Sequence, residues 1–131
     1  MGIVRFGIPL EEAILLKNLL KLNCFVETGT YMGETAKKMA NVFSKVYTIE
    51  KSEVFFQKAS KNLSNFPNVN LICGDSREVL KEIFEKEDDI LFWLDAHWSG
   101  GETYGENDEC PLIDELNIIF QKKQKLLFVK R

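Results

Sequence analysis

Cys24-Phe25-Val26-Glu27-Thr28-Gly29-Thr30-Tyr31-Met32-Gly33-Glu34-Thr35 joins a short apolar run to a glycine turn and then to helix-forming residues. A strand covered on both faces reads as a continuous apolar run, not as an alternation. Four further runs have this character, over 45–50, 69–73, 90–94 and 126–129. Helical spacing fills the intervals. Leu10 opens a helix to Leu22, with Ile14, Leu15, Asn18, Leu19 and Leu22 as its stripe and Glu11 and Glu12 at its positive end. A second helix spans 34–43. A third opens at Ser52 with Val54, Phe55, Ala59 and Leu63 on one face, and Asn65-Phe66-Pro67-Asn68 ends it. Ser76 caps a fourth, with a Val79, Leu80, Ile83, Phe84 stripe. Pro111 starts a fifth, to about Phe120. This order predicts an α/β domain: a doubly wound, Rossmann-like parallel sheet of about five strands with helices on both faces.

The 131 residues make one domain, 1–131. Hydrophobic residues are 45% and charged residues 28%, which excludes a disordered or fibrous chain. The net charge of −3 disfavours nucleic acid as a partner. No run is long enough to span a bilayer, and Glu11, Glu12 and Lys17 interrupt the N-terminal apolar stretch, against a signal peptide. Cys24, Cys73 and Cys110 lack metal-ligand or redox spacing. A reducing cytoplasm is the expected setting, with Cys24 and Cys73 as buried small hydrophobes.

Open parallel sheets bind ligands beyond the carboxyl ends of their strands. The first strand leads to Gly29-x-x-x-Gly33. A dinucleotide fingerprint places glycine where Tyr31 stands, which disfavours NAD, and no Gly-Lys-Ser/Thr follows to make a phosphate loop. Glu50 ends the second strand about 20 residues after Gly29, where an acidic side chain can accept from ribose hydroxyls. Gly74-Asp75-Ser76 follows the third strand. Asp75 offers an acceptor for an adenine amino group, and Ser76 can bond a ring nitrogen or cap its helix. Asp95 and His97 follow the fourth. His97, the one histidine, is open to roles as general base, metal ligand or passive wall. Glu102, Glu106, Asp108 and Glu109 in the next loop could join Asp95 around a hard cation, or form a solvated acidic loop.

The ordered set Glu27-x-Gly29-x-x-x-Gly33, Glu50, Gly74-Asp75 and Asp95 resembles the class I S-adenosylmethionine-dependent methyltransferases over about residues 10 to 120. The stretch from Leu94-Asp95-Ala96-His97 to Cys110-Pro111-Leu112-Ile113-Asp114-Glu115-Leu116 is similar to bacterial members distantly related to macrocin-type O-methyltransferases. The resemblance implies a cofactor site of Glu27, Gly29, Tyr31, Gly33, Glu50, Asp75 and Ser76. Gly29 and Gly33 would lie against the methionine part, Glu50 on the ribose, and Asp75 with Ser76 facing adenine. It implies that Asp95 sits near the reacting methyl and is the first candidate to hold a divalent cation such as Mg2+; His97, the sole histidine, placed just after Asp95 at the expected cleft, joins it as a candidate catalytic residue in the role of base. The expected reaction is methyl transfer to a hydroxyl of a small molecule or sugar, with no nucleic acid and no membrane as partner.

The family's usual sheet has two strands beyond the fifth, which this sequence lacks, so the chain reads as C-terminally truncated. The fifth strand would then be an exposed edge through which the chain could form a homo-oligomer. The alternative reading is a non-catalytic module that binds the cofactor or works by protein association.

Overall fold

A computed structural model describes residues 8–95, 112–121 and 126–130. The elements are α1 (Leu10–Leu20), β1 (Cys24–Thr28), α2 (Glu34–Ala40), β2 (Lys45–Glu50), α3 (Glu53–Asn62), β3 (Val69–Cys73), α4 (Ser76–Lys86), β4 (Ile90–Asp95), α5 (Leu112–Gln121) and β5 (Leu126–Lys130). The strands form one five-stranded sheet in the order β3-β2-β1-β4-β5. Every pairing is parallel. The doubly wound α/β sheet expected from the sequence is therefore present. The order reverses between β1 and β4, the point where such sheets open a ligand cleft.

Each central strand sends alternate side chains to opposite faces. Phe25, Leu91 and Trp93 join one core cluster, with Ala13 of α1, Ala36 and Met39 of α2 and Ala59 of α3. Each of those three helices buries an alanine completely, and so small a side chain lets the helix approach the sheet closely. Cys24, Val26, Ile90, Phe92 and Leu94 join the other cluster, where α4 supplies Val79, Leu80, Ile83 and Phe84 and α5 supplies Ile119. The expected α4 stripe is thus the buried one.

Other expectations are corrected. The α1 helix stops at Leu20, because Lys21 turns left-handed at φ 54°. Its expected stripe faces outward: Ile14, Leu15 and Leu19 are exposed, and Ala13 is the residue buried. Leu22 is buried, but beyond the helix end. On α3, Val54 is 64% exposed while Ala59 and Leu63 are buried. Asp75, not Ser76, is the N-cap of α4: it has extended backbone and accepts from the Arg77 N–H. Cys73 is exposed, because β3 is an edge strand with one neighbour, whereas Cys24 is buried as expected. Pro111 and Cys110 lie outside the described residues. Among the described residues no helix is long and apolar enough to cross a membrane.

Candidate cofactor-binding site

Parallel packing brings the carboxyl ends of β1, β2 and β3 into one row. The Gly29 and Thr30 N–H groups donate to the Ile49 carbonyl at 2.9 and 3.3 Å, and the Gly74 N–H donates to the Glu50 carbonyl at 3.0 Å. The row is therefore held by backbone hydrogen bonds past the last strand residues.

Between β1 and α2 the chain takes left-handed backbone at Gly29 (φ 83°), Tyr31 (φ 54°) and Gly33 (φ 87°). Glycine adopts this region without a Cβ clash. At Gly33 there is a second reason: a Cβ there would lie 3.1 Å from Leu63 Cγ. Gly33 thus serves packing between the turn and α3 whatever lies in the cleft. Three more contacts tie the turn to its surroundings. Asn62 Nδ2 donates to the Met32 carbonyl at 2.8 Å, the Tyr31 ring sits 4.8 Å from that of Phe55, and the Tyr31 N–H donates to Glu50 Oε1 at 2.8 Å. Tyr31 itself remains 59% exposed at the rim.

Glu50 is buried, and its second oxygen accepts from the Ser52 N–H at 2.9 Å. Each carboxylate oxygen therefore has one backbone donor and keeps further acceptor capacity. Glu27 is also buried and accepts from the Thr48 hydroxyl at 2.7 Å; Thr48 is in turn 2.6 Å from the Thr30 hydroxyl. This chain links the strand carboxylate to the glycine turn.

Asp75 is held by one neighbour. Its Oδ1 accepts from the Arg77 N–H and Nε, both at 2.9 Å, and its Oδ2 accepts from Nη2 at 2.6 Å. Lys51 Nζ is 4.0 Å from Oδ2. Hydrogen bonding from Arg77 holds the Asp75 carboxyl below the usual carboxylate range. Ser76 donates instead to Glu115 Oε2, and Thr28 donates to Oε1 of the same side chain at 3.5 Å. Glu115 is 1% exposed on α5. Its position within the sequence gives it no role; the signal is that it precedes the fully buried Ile119 by one helical turn and shares its face.

Asp95 is the last residue of β4 and pairs in register with Lys130. His97 and the acidic loop residues Glu102, Glu106, Asp108 and Glu109 lie outside the described residues. Among the described residues no group of three or more His, Cys, Asp or Glu could hold a metal ion.

The family model described as RNA cap guanine-N2 methyltransferase matches residues 23–128. No curated protein matches the sequence. A solved structure from Staphylococcus aureus, assigned as a caffeoyl-CoA O-methyltransferase, is similar with TM-score 0.68 at 18% identity, over 98% of this chain and 58% of that one. A Streptococcus mutans protein assigned as a methyltransferase, solved with S-adenosylhomocysteine, gives 0.68 at 14% identity over 95% and 73%. An rRNA methylase from Streptococcus thermophilus gives 0.65 at 14% identity over 96% and 74%. At these identities the likeness shows the fold. The chain spans 58% of the length of the Staphylococcus aureus structure. The macrocin-type likeness rests on sequence motifs alone. By the family match and a sheet that carries the expected glycine turn and strand-end acids, the chain belongs to the RNA cap guanine-N2 methyltransferase family of S-adenosylmethionine-dependent enzymes.

Proposed function

We propose that the chain binds S-adenosylmethionine across the carboxyl ends of β1, β2 and β3 and transfers its methyl group to a hydroxyl of a small molecule or sugar. The observation that carries the cofactor half is Glu50. It is a buried carboxylate at a strand end, with one backbone donor on each oxygen and capacity left on both for a pair of ribose hydroxyls. Gly29 gives the backbone a close approach to the methionine part, beside Gly33, Tyr31 and Glu27. Asp75 and Ser76 border the adenine.

When bound, the cofactor supplies a methyl already activated on a sulfonium. The chain's own tasks are to align the acceptor and to take its proton. His97 is the proposed base and Asp95 its neighbour on the acceptor side. A His97→Ala protein that kept full turnover would remove that role.

The acceptor half rests on charge. From Glu87 to Gln121 the sequence has ten carboxylates and no Lys or Arg. Phosphate backbones are bound by Lys and Arg that displace counterions, and this stretch offers none. The second reading is the exocyclic N2 of guanine in an RNA, which the family match favours. A homo-oligomer contact through the β5 edge stays a proposal, tested by solution mass.

Thermal unfolding with S-adenosylhomocysteine, with NAD as control, tests the cofactor half. A ligand at about 100 times its dissociation constant adds roughly 2.7 kcal/mol, a midpoint rise on the order of 10 °C. Methyl-labelled cofactor offered with a panel of hydroxyl acceptors and with capped RNA tests the other half. Label in the RNA alone selects the second reading. Cofactor binding without label in either leaves the non-catalytic module.

A further inference from the structure

We propose that Glu115 is a positioning residue that braces the cofactor cleft: from α5 it ties the end of β1 to the start of α4 and fixes the separation of the cleft's two walls. This rests on the cofactor reading above. The walls are the Gly29 turn after β1 and Asp75 after β3. Those two strands do not pair; β2 stands between them, which sets their ends about 10 Å apart. The residue beside each wall sends its hydroxyl to the same carboxylate. Thr28, just before Gly29, donates to Glu115 Oε1 at 3.5 Å, and Ser76, just after Asp75, donates to Oε2. One side chain thus spans what the sheet joins only through an intervening strand.

Strand alternation explains why the brace comes from α5. Cys24 and Val26 belong to the cluster that α4 and α5 cover, and Thr28 is the next β1 residue on that face. On α5, Ile119 is buried in the same cluster, and Glu115 lies one turn before it, beyond the apolar core. Thr28 and Glu115 are both buried, so water does not compete for their bond. A second tie runs outside the seam: Arg77 Nη1 donates to Asp114 at 3.3 Å while its Nε and Nη2 hold Asp75. Asp114 is exposed, so salt screens that pair, and the buried carboxylate carries the brace. A ligand that spans both walls depends on their separation, because small misplacements between its two ends cost affinity at one of them. Glu115 therefore acts through Thr28 and Ser76.

The experiment is calorimetric titration of S-adenosylhomocysteine into the wild-type chain, Thr28→Val, Glu115→Leu and the double variant, with unliganded melting midpoints measured alongside. Each single change should weaken binding by ~10-fold. The double variant should lose the same ~10-fold and not ~100-fold, because either change breaks the same brace. Ile119→Val is the control: it loosens the same face of α5 without touching the brace, so the midpoint should fall while affinity stays within ~2-fold. If Glu115→Leu does not fold, Thr28→Val with Ser76→Ala completes an equivalent cycle, since the two hydroxyls are the two ends of the brace. Losses that multiply in the double variant, or no loss in the folded single variants, overturn the inference and leave the cofactor reading intact. So does an equal loss in Ile119→Val, which would assign the effect to a loosened helix. No binding of S-adenosylhomocysteine to the wild type defeats the cofactor reading itself, and this inference with it.

Discussion

The amino and carboxyl ends of the sheet both carry polar side chains, and they use them differently. At the amino end the polar residues close the fold. Asn68 Nδ2 donates to the Ala40 and Phe43 carbonyls at 2.8 and 3.0 Å, the Ser44 hydroxyl donates to the Asn23 carbonyl at 3.0 Å, and the Asn23 N–H donates to the Asp89 carbonyl at 3.2 Å. Glu87 gathers Lys45 at 2.8 Å and the Tyr47 hydroxyl at 3.1 Å. Burial pushes the nearby Cys24 thiol up to about 12, which keeps it protonated and unreactive. At the carboxyl end three carboxylates, Glu27, Glu50 and Glu115, are buried together with three threonines, Thr28, Thr30 and Thr48, and are reached by hydroxyl and backbone donors. Three of the five left-handed residues among those described fall within 29–33. Desolvated acids and unusual backbone both cost stability, and their concentration at one end supports the proposal that this end binds the cofactor.

The largest expected effect tests that division directly. Glu50→Ala should weaken S-adenosylhomocysteine by about 100-fold or more, since hydrogen bonds to a charged acceptor are worth ~1.5–3 kcal/mol each. Glu87→Ala, at the other end, should leave the affinity of the folded chain within about twofold. Calorimetric titration of both variants reads the difference, and equal losses would erase the distinction between the two ends.

Gly33→Ala should lower stability by about 2 kcal/mol, from the left-handed backbone and the forced approach to Leu63. For a chain of this size that is a fall of roughly 5–10 °C in the melting midpoint. A drop of under 1 °C would mean that the glycine turn does not depend on its seat against α3. Asn68→Ala should cost about 1–2 kcal/mol through its two lost donors, with cofactor affinity unchanged. Urea unfolding gives the first quantity and titration the second; a matching loss of affinity would show that the ends are coupled through the sheet.

What the sequence reveals divides along the same line. Both β2 and β3 are legible to the residue, because turn residues bound each apolar run. Strand order is not legible in a run, so Cys73 reads as buried until β3 is known to be an edge. The α1 stripe misleads for a packing reason: the helix turns its alanine inward and leaves Ile14, Leu15 and Leu19 outside. Of the proposed site, Glu50 and Asp75 stand out in the sequence by their place just at or past a strand end, and Gly29 and Gly33 by the spacing of the turn that follows β1. Glu115 is not, since its meaning depends on α5 crossing to Thr28 and Ser76 from far along the chain.

The smallest predicted effect concerns Asp75, a carboxylate at the carboxyl end of the sheet with Arg77 beside it. Asp75 is hydrogen-bonded and ion-paired by Arg77, which holds its carboxyl below the usual range in the folded state. A carboxyl depressed on folding contributes stability that is complete above its unfolded value, near ~3.9, and is lost as pH falls through the lower folded value. The side chain is 28% exposed, so solvent screening keeps the contribution under ~1 kcal/mol. Asp75→Asn tests it: asparagine keeps an N-cap acceptor for the Arg77 N–H but loses the charge and the second acceptor oxygen that receives Nη2, and only the charge part depends on pH. The stability gap between wild type and variant should be constant from pH 7 to 5 and should close below about pH 4. Urea unfolding across that range measures it. A gap that persists in acid would assign the difference to cap geometry and not to charge.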